Sequence, residues 1–332
     1  MSEKRYVIIG AGAVGGALAA QLVPAGFDVV LVARGEHGKR IATDGLRVLR
    51  PTGTEVIDVV VAEGPDDVPL SRGDVLLLTV KTQDAEATLA DWAWQPVHDG
   101  SGSVVGSAAT DLPIVTFQNG RATEDLALRR FHHVLGATIS VAAGFVTPGE
   151  IVSPSLDPAA LVWVGRHPDG HDELAEEIAD DLTAAGTAAW PVTDLAAHKA
   201  AKLLGNLAWN GLALLEGPEE EKAEAARLLR EEAVAVFAAA GVALPPGNEL
   251  DHRGTNLQVQ TVPGYTPRGS TWQSFARGAS SEIDYLNGEI TLLARTYGVP
   301  APLNRRLQEL LGAPHLADQR TFAALLAAAA DE

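Results

Sequence analysis

The stretch VIIGAGAVGG, residues 7–16, constrains the fold of this chain more than any other. An apolar run ends in Gly10-Ala11-Gly12-Ala13-Val14-Gly15 and passes directly into the helical pattern AVGGALAAQL. Glycines in this Gly-x-Gly-x-x-Gly spacing have separate tasks. Gly10 permits a tight turn, Gly12 lets a diphosphate approach the backbone, and Gly15 lets the helix pack closely on the strand. The diphosphate then rests on amides at the positive end of the helix. The strand before and the helix after the glycines favour this reading over one in which they serve packing alone.

A dinucleotide-binding sheet should repeat the strand–helix alternation, and it does. DVVLVAR, DVLLLTVK and LPIVTFQN are apolar runs separated by helical segments, as in a parallel sheet covered on both faces. After residue 131 the runs HVLGATISVAAG, GEIVS and ALVWVG are hairpin-like. A helix over HDELAEEIADDLTAAG and a short strand near AAWPVT close this half. The second strand ends in Ala33-Arg34, where a guanidinium suits a 2′-phosphate and so NADP(H). Glu36, about 20 residues beyond the motif, is the competing feature, because an acid there would favour NAD(H). Lys81 and Asn119 follow the ends of two later strands, where ligands of open sheets bind. Each is also readable as an ordinary surface lysine and an ordinary Asn-Gly turn.

From residue 194 onward the pattern is helical over 195–215, 219–241, 271–277, 281–297 and 303–330, which places a domain boundary near 193. Domains of 1–193 and 194–332 are expected, an α/β Rossmann domain followed by an all-α domain. The second opens on HKAAKLLGNLAWNG, which sets Lys202, Asn206 and Asn210 four residues apart on one helix face. A lysine and two amides on an otherwise apolar helix are costly to bury unless something polar sits against them. Lys202 reaching along its own stem to solvent is the plainer alternative. Lys199, one turn earlier, is its rival for any role as a proton donor.

Composition narrows the partners. A formal net charge of −18 argues against nucleic acid and anionic membranes. No run of about 18 apolar residues suggests a membrane span. The chain has no cysteine, which excludes thiolate metal sites and disulfides and fits a reducing compartment. MSEKRYVIIG lacks the layout of a signal peptide, so a cytoplasmic protein is expected. No metal is implied, and the oligomeric state stays open, a homodimer included.

Taken in order, the glycine motif, VK and QNG after later strands, and K-x-x-x-N-x-x-x-N at the start of a helical half resemble the ketopantoate reductase (2-dehydropantoate 2-reductase) family. GSTWQSFARGASSEIDYLNGEI followed by YGVPAPLNRRL is similar to that family's C-terminal signature. The resemblance implies a helical domain of the 6-phosphogluconate-dehydrogenase-like kind, NADPH as cofactor and a place in pantothenate biosynthesis. It implies Lys202 as proton donor, with Glu282 beside the nicotinamide and substrate. It gives Asn206, Asn210, Asn119 and Ser270 to the substrate. Gly10, Ala11, Gly12, Ala13, Val14, Gly15, Arg34, Lys81 and Asn119 would hold the cofactor.

Chemistry agrees with these roles. Hydride delivery to a ketone builds charge on oxygen, and a cationic acid there lowers the barrier. Plainer readings stand beside them. Ser270 and Gln273 fit a helix capping box, and Glu282 fits a first-turn acid. The chain departs from the family at three positions: Pro267 and Glu220 replace asparagines, and Gln273-Ser274 replaces a Gln-Asp pair. Trp209 and Trp272 would narrow a pocket or belong to a core. Reduction of a 2-oxo acid, ketopantoate foremost, is therefore the expected activity. A bulkier ketone or an imine is the alternative substrate, and a non-catalytic NADP-binding module the third reading.

Overall fold

A computed structural model describes residues 4–145, 147–209, 211–248, 250–266 and 282–329. Among these the chain forms two compact units. The first is built on an eight-stranded sheet whose strands are β1 (Arg5–Ile9), β2 (Asp28–Val32), β3 (Val60–Ala62), β4 (Asp74–Leu78), β5 (Pro113–Thr116), β6 (His133–Val141), β7 (Ala160–Arg166) and β8 (Ala188–Pro191). Its spatial order is β8-β7-β6-β5-β4-β1-β2-β3. The first six run parallel in the doubly wound order 3-2-1-4-5-6, which reverses direction beside β1 and so makes a ligand crevice at its carboxyl end. Strand β7 then pairs antiparallel to β6, where the sequence reads as a hairpin, and β8 pairs parallel to β7.

Burial on both faces explains the unbroken apolar runs. Ile8, Leu31, Leu77, Val115 and Leu135 point into one core, while Val7, Leu76, Leu78 and Ile114 point into the other. Each fully buried aliphatic side chain of this kind stabilises the fold by roughly 1.5–3 kcal/mol. Asp74 is the buried exception on β4, and Arg5 of β1 grips it with Nε and Nη2 at 2.8 and 2.7 Å. Helices α1 (Ala13–Leu22), α2 (Gly35–Asp44), α3 (Thr82–Ala93), α4 (Thr123–Leu128) and α5 (Glu173–Ala184) belong to this unit.

A second sheet joins Gly144–Phe145, Glu150–Val152, Leu46–Arg50 and Gly53–Ile57 in that order. The sequence gives no hint of it, since Glu150–Val152 pairs with a strand about a hundred residues earlier, Arg47 opposite Glu150. Its Ile151 lies against α1 so closely that a Cβ on Gly16 would come within 3.0 Å of it.

The second unit is helical: α6 (Leu195–Trp209), α7 (Glu219–Ala239), α8 (Asn287–Tyr297) and α9 (Pro302–Gly312), with short turns between them. Ala200, Leu203, Leu204 and Leu207 of α6 pack on Val236 and Phe237 of α7 and Ile290 of α8. The expected helix over 271–277 lies outside the described residues, and those over 195–215, 281–297 and 303–330 are each interrupted within the described residues. A 3-10 turn, Ile283–Tyr285, precedes α8, and Leu286 with φ −108 and ψ −90 separates them. Pro314 holds Ala313 extended and ends α9, since the residue before a proline avoids helical geometry. Thr321 starts a new turn by accepting the Ala324 amide.

The units do not divide at one point of the chain. Besides the change between Leu195 and Ala196, the described part of His252–Pro267 returns to the first unit, and Asn119–Arg121 belongs to the second. No helix among the described residues is long and apolar enough to cross a membrane.

Candidate active site

In the first unit the glycine motif forms the turn between β1 and α1. Gly10 has φ +110, and a Cβ there would stand 2.9 Å from Val80. A Cβ on Gly15 would lie 1.9 Å from Gly10 O and 2.5 Å from Thr79 Oγ1, so only glycine permits this approach of helix to strand. Gly12 differs from both, for a Cβ on it would meet nothing within 4 Å. Its open backbone face is the fit a diphosphate requires. Gly12 is the N-cap of α1, whose first turn carries no acidic residue, so the positive helix end is left to attract an anion from outside. Ala11 is buried, and Ala13 and Val14 are half-buried along the same turn.

Two further side chains brace this end of the sheet. Thr79 Oγ1 donates to Gly10 O at 2.7 Å. Gln118 Nε2 donates to Leu78 O and Val80 O, both at 2.9 Å, and so fixes the exit of β4. Lys81 follows that exit as the N-cap of α3 and is half-buried. Arg34 follows β2 as the N-cap of α2 and is exposed. Glu36, its competitor, is engaged by Arg40 of its own helix at 2.9 Å. Thr79 does not stand out in the sequence and Gln118 does so only as the first residue of QNG, because their partners are backbone atoms of other segments.

In the second unit α6 presents its polar stripe beside the apolar face formed by Ala200, Leu203, Leu204 and Leu207. Asn206 Nδ2 donates to Asn119 Oδ1 at 3.1 Å, which joins residues 87 apart in sequence. Gly120, at φ +83, permits this placement, since a Cβ on it would stand 2.5 Å from Tyr285 O. The Asn119-Gly120 turn therefore lies against the turn that Glu282 introduces. Arg121 fastens the same segment, 3.7 Å from Glu289 and over the ring of Phe237.

Glu282 is 3 % exposed. Burial sets it apart from a first-turn acid facing solvent, which keeps its hydration. Lys202 is half-buried, and desolvation pulls its ammonium down from 10.5 to about 8. Lys199 is buried as well, so burial alone does not choose between the two lysines. Both lie on the face that carries Asn206, Lys202 one turn and Lys199 two turns before it. Glu220 is exposed among the acids of the first turn of α7, where carboxylates answer the helix dipole. Asn210, Pro267, Ser270, Trp272, Gln273-Ser274 and the Trp209 side chain lie outside the described residues.

A glycine-built turn at the end of a doubly wound sheet, with a helical unit carrying lysine, amides and a buried carboxylate, defines an oxidoreductase of the nucleotide-dependent class. Sequence comparison makes this particular. Residues 6–168 match the family model described as ketopantoate reductase PanE/ApbA, and residues 194–315 match its C-terminal counterpart. The chain belongs to this family of nicotinamide-dependent reductases. It is 26% identical over 318 residues to the 2-dehydropantoate 2-reductase of Pyrococcus horikoshii, covering 93% of this chain and 97% of that one. A PanE/ApbA family ketopantoate reductase from Ralstonia eutropha JMP134 superposes with a TM-score of 0.74 at 27% identity, over 95% of this chain and 99% of that chain. D-mandelate dehydrogenase, solved with NADH and anilino(oxo)acetate, shares the fold with a TM-score of 0.75 at 21% identity, over 95% of this chain and 99% of its own.

Proposed function

We propose that the chain reduces a 2-oxo acid to a 2-hydroxy acid with NADPH, and that 2-dehydropantoate (ketopantoate) is the substrate. The observation that carries this reading is the Asn206–Asn119 hydrogen bond one helical turn from Lys202, whose ammonium is held near 8. Bound dihydronicotinamide supplies the hydride. Gly10, Ala11, Gly12, Ala13, Val14 and Gly15 hold its diphosphate, Arg34 the 2′-phosphate, and Lys81 and Asn119 the remainder. Lys202 gives its proton from Nζ to the carbonyl oxygen as negative charge builds there. An acid whose pKa lies close to the working pH is suited to this, because it holds the proton in the ground state and releases it readily. Asn119, Asn206, Asn210 and Ser270 orient the substrate, and Glu282 stands beside the nicotinamide and substrate.

NADPH is favoured over NADH because Arg34 stands at the end of β2 while Glu36 is engaged by Arg40. Arg34→Asp should weaken NADPH far more than NADH, by an amount on the order of 2 kcal/mol, through loss of a charge-assisted contact and added repulsion. Equal losses for the two cofactors would remove Arg34 from this role. For the substrate, following NADPH absorbance with ketopantoate at high enzyme concentration decides the matter. No oxidation removes ketopantoate.

A second reading keeps fold and cofactor and changes the substrate to a bulkier ketone or an imine. It rests on Pro267, which has no amide to offer where the family has asparagine. Glu220 lends it less support, being exposed in the first turn of α7. A panel of carbonyl and imine substrates distinguishes the two, and a clear preference for ketopantoate disposes of the second.

A further inference from the structure

His37 lies on α2, three residues after Arg34, and is half-buried. Its ring is held on both nitrogens. Nε2 is 2.8 Å from Ala11 O, inside the glycine turn, and Nδ1 is 2.8 Å from the Gly149 amide. Phe145 meets the ring edge-on at 4.7 Å between centroids. The partners fix the proton. A backbone amide only donates and a carbonyl only accepts, so Nδ1 is bare and Nε2 carries the hydrogen. Gly149 is anchored in turn, its carbonyl accepting the Arg47 amide at 3.0 Å where the two inner strands of the small sheet begin to pair. Two hydrogen bonds therefore run in series through the imidazole, from the Gly149 amide to Ala11 O, and each polarises the other. Burial also holds the imidazole below its usual pKa, which favours the neutral form.

The far end of this series matters for the cofactor. Ala11 C=O and Gly12 N–H belong to one planar trans peptide and point in opposite directions. Fixing the carbonyl towards His37 aims the Gly12 amide the other way. Gly12 is the residue of the turn whose backbone is left open.

We propose that His37 is a positioning residue for the dinucleotide, which sets the aim of the Gly12 amide by holding Ala11 O with Nε2–H while Gly149 holds its Nδ1. This rests on the reading of the glycine turn as a nicotinamide dinucleotide site. Three variants separate the two bonds, because a glutamine amide places its nitrogen near the ε position and an asparagine oxygen lies near the δ position. His37→Gln retains the donor to Ala11, His37→Asn retains only the acceptor for Gly149, and His37→Phe retains neither but keeps an aromatic ring beside Phe145.

The experiment measures NADPH binding by fluorescence titration, KM and kcat for NADPH and for the 2-oxo acid, and folding by circular dichroism. His37→Phe and His37→Asn should raise the Kd and KM for NADPH about tenfold, the worth of one hydrogen bond. Their kcat and substrate KM should stay within about twofold, and His37→Gln should stay close to wild type. The assignment is overturned if folded His37→Phe binds NADPH like wild type, if losses fall equally on kcat and substrate KM, or if Asn is tolerated and Gln is not. Wild-type protein that binds neither NADPH nor NADH overturns the dinucleotide reading as well. Unchanged binding in His37→Phe alone overturns only the role of His37.

Discussion

The glycine turn of the first unit and the polar stripe of the second are the two candidate recognition surfaces, and they are made of different material. The turn offers backbone amides, and its residues are specified by what they lack: Gly15 has no room for a Cβ, and Gly12 has room but carries none. The stripe offers side chains, and its residues are specified by what they reach, as Asn206 reaches Asn119. A backbone-built site is contiguous and announces itself in spacing. One built from side chains is assembled by folding, and only the part on a single helix has a period to read.

This contrast can be broken most decisively at Lys202. Lys202→Ala should lower kcat by about 10²- to 10⁴-fold with NADPH affinity almost unchanged. Lys202→Arg should not restore turnover, because a guanidinium keeps its proton at any working pH. Near-normal turnover in Lys202→Ala beside an inactive Lys199→Ala would move the donor one turn along α6.

The same lysine sharpens the contrast through stability. Its folded pKa of about 8 lies below the unfolded value of 10.5, so between these the unfolded chain binds more protons. Stability relative to Lys202→Met should therefore rise with pH across that window, and the penalty of burying the ammonium should be complete below it. The full difference is on the order of 3 kcal/mol as an upper bound. Denaturant melts of both proteins at pH 7 and pH 10 check it, and a gap that widens with pH contradicts the assignment. Turnover in the reducing direction should fall as pH rises through about 8.

On the glycine side, Gly15→Ala and Gly12→Ala should part company. Gly15→Ala should cost about 1–3 kcal/mol of stability, since its Cβ would overlap Gly10 O. Gly12→Ala should melt like wild type yet bind NADPH roughly tenfold more weakly, because the methyl group occupies the approach of the diphosphate. Equal melting temperatures for the two variants would erase the distinction. The smallest effect is expected at Glu220, where Glu220→Gln should leave the substrate KM within about twofold, as an exposed first-turn acid contributes little. A large fall in KM would place that carboxylate at the substrate.

The alternation of strands and helices, the glycine motif and the α6 stripe were legible because each follows a local period. The small sheet was not, since Glu150–Val152 finds its partner at Leu46–Arg50. The break at Leu286 was masked by apolar residues that continue the pattern across it, whereas the end at Ala313 is written in Gly312 and Pro314 and only the apolar period carries on past it. Thr79 and the brace that Gln118 makes were silent for a different reason: both bind carbonyls, and any residue supplies a carbonyl. His37 belongs with them.

Asn119–Arg121 sits between two strands of the sheet in sequence and with the helices in space. The chain is thus stitched rather than hinged at a single seam. A gene fragment that begins at residue 194 encodes Asn206 but leaves behind the amide to which it donates. A recombination event that exchanged only the helical half would bring an Asn206 that must find its partner in a foreign loop. The Asn206–Asn119 bond in such a lineage is then inherited from both halves together, and drift in the loop after β5 constrains what the helices can become.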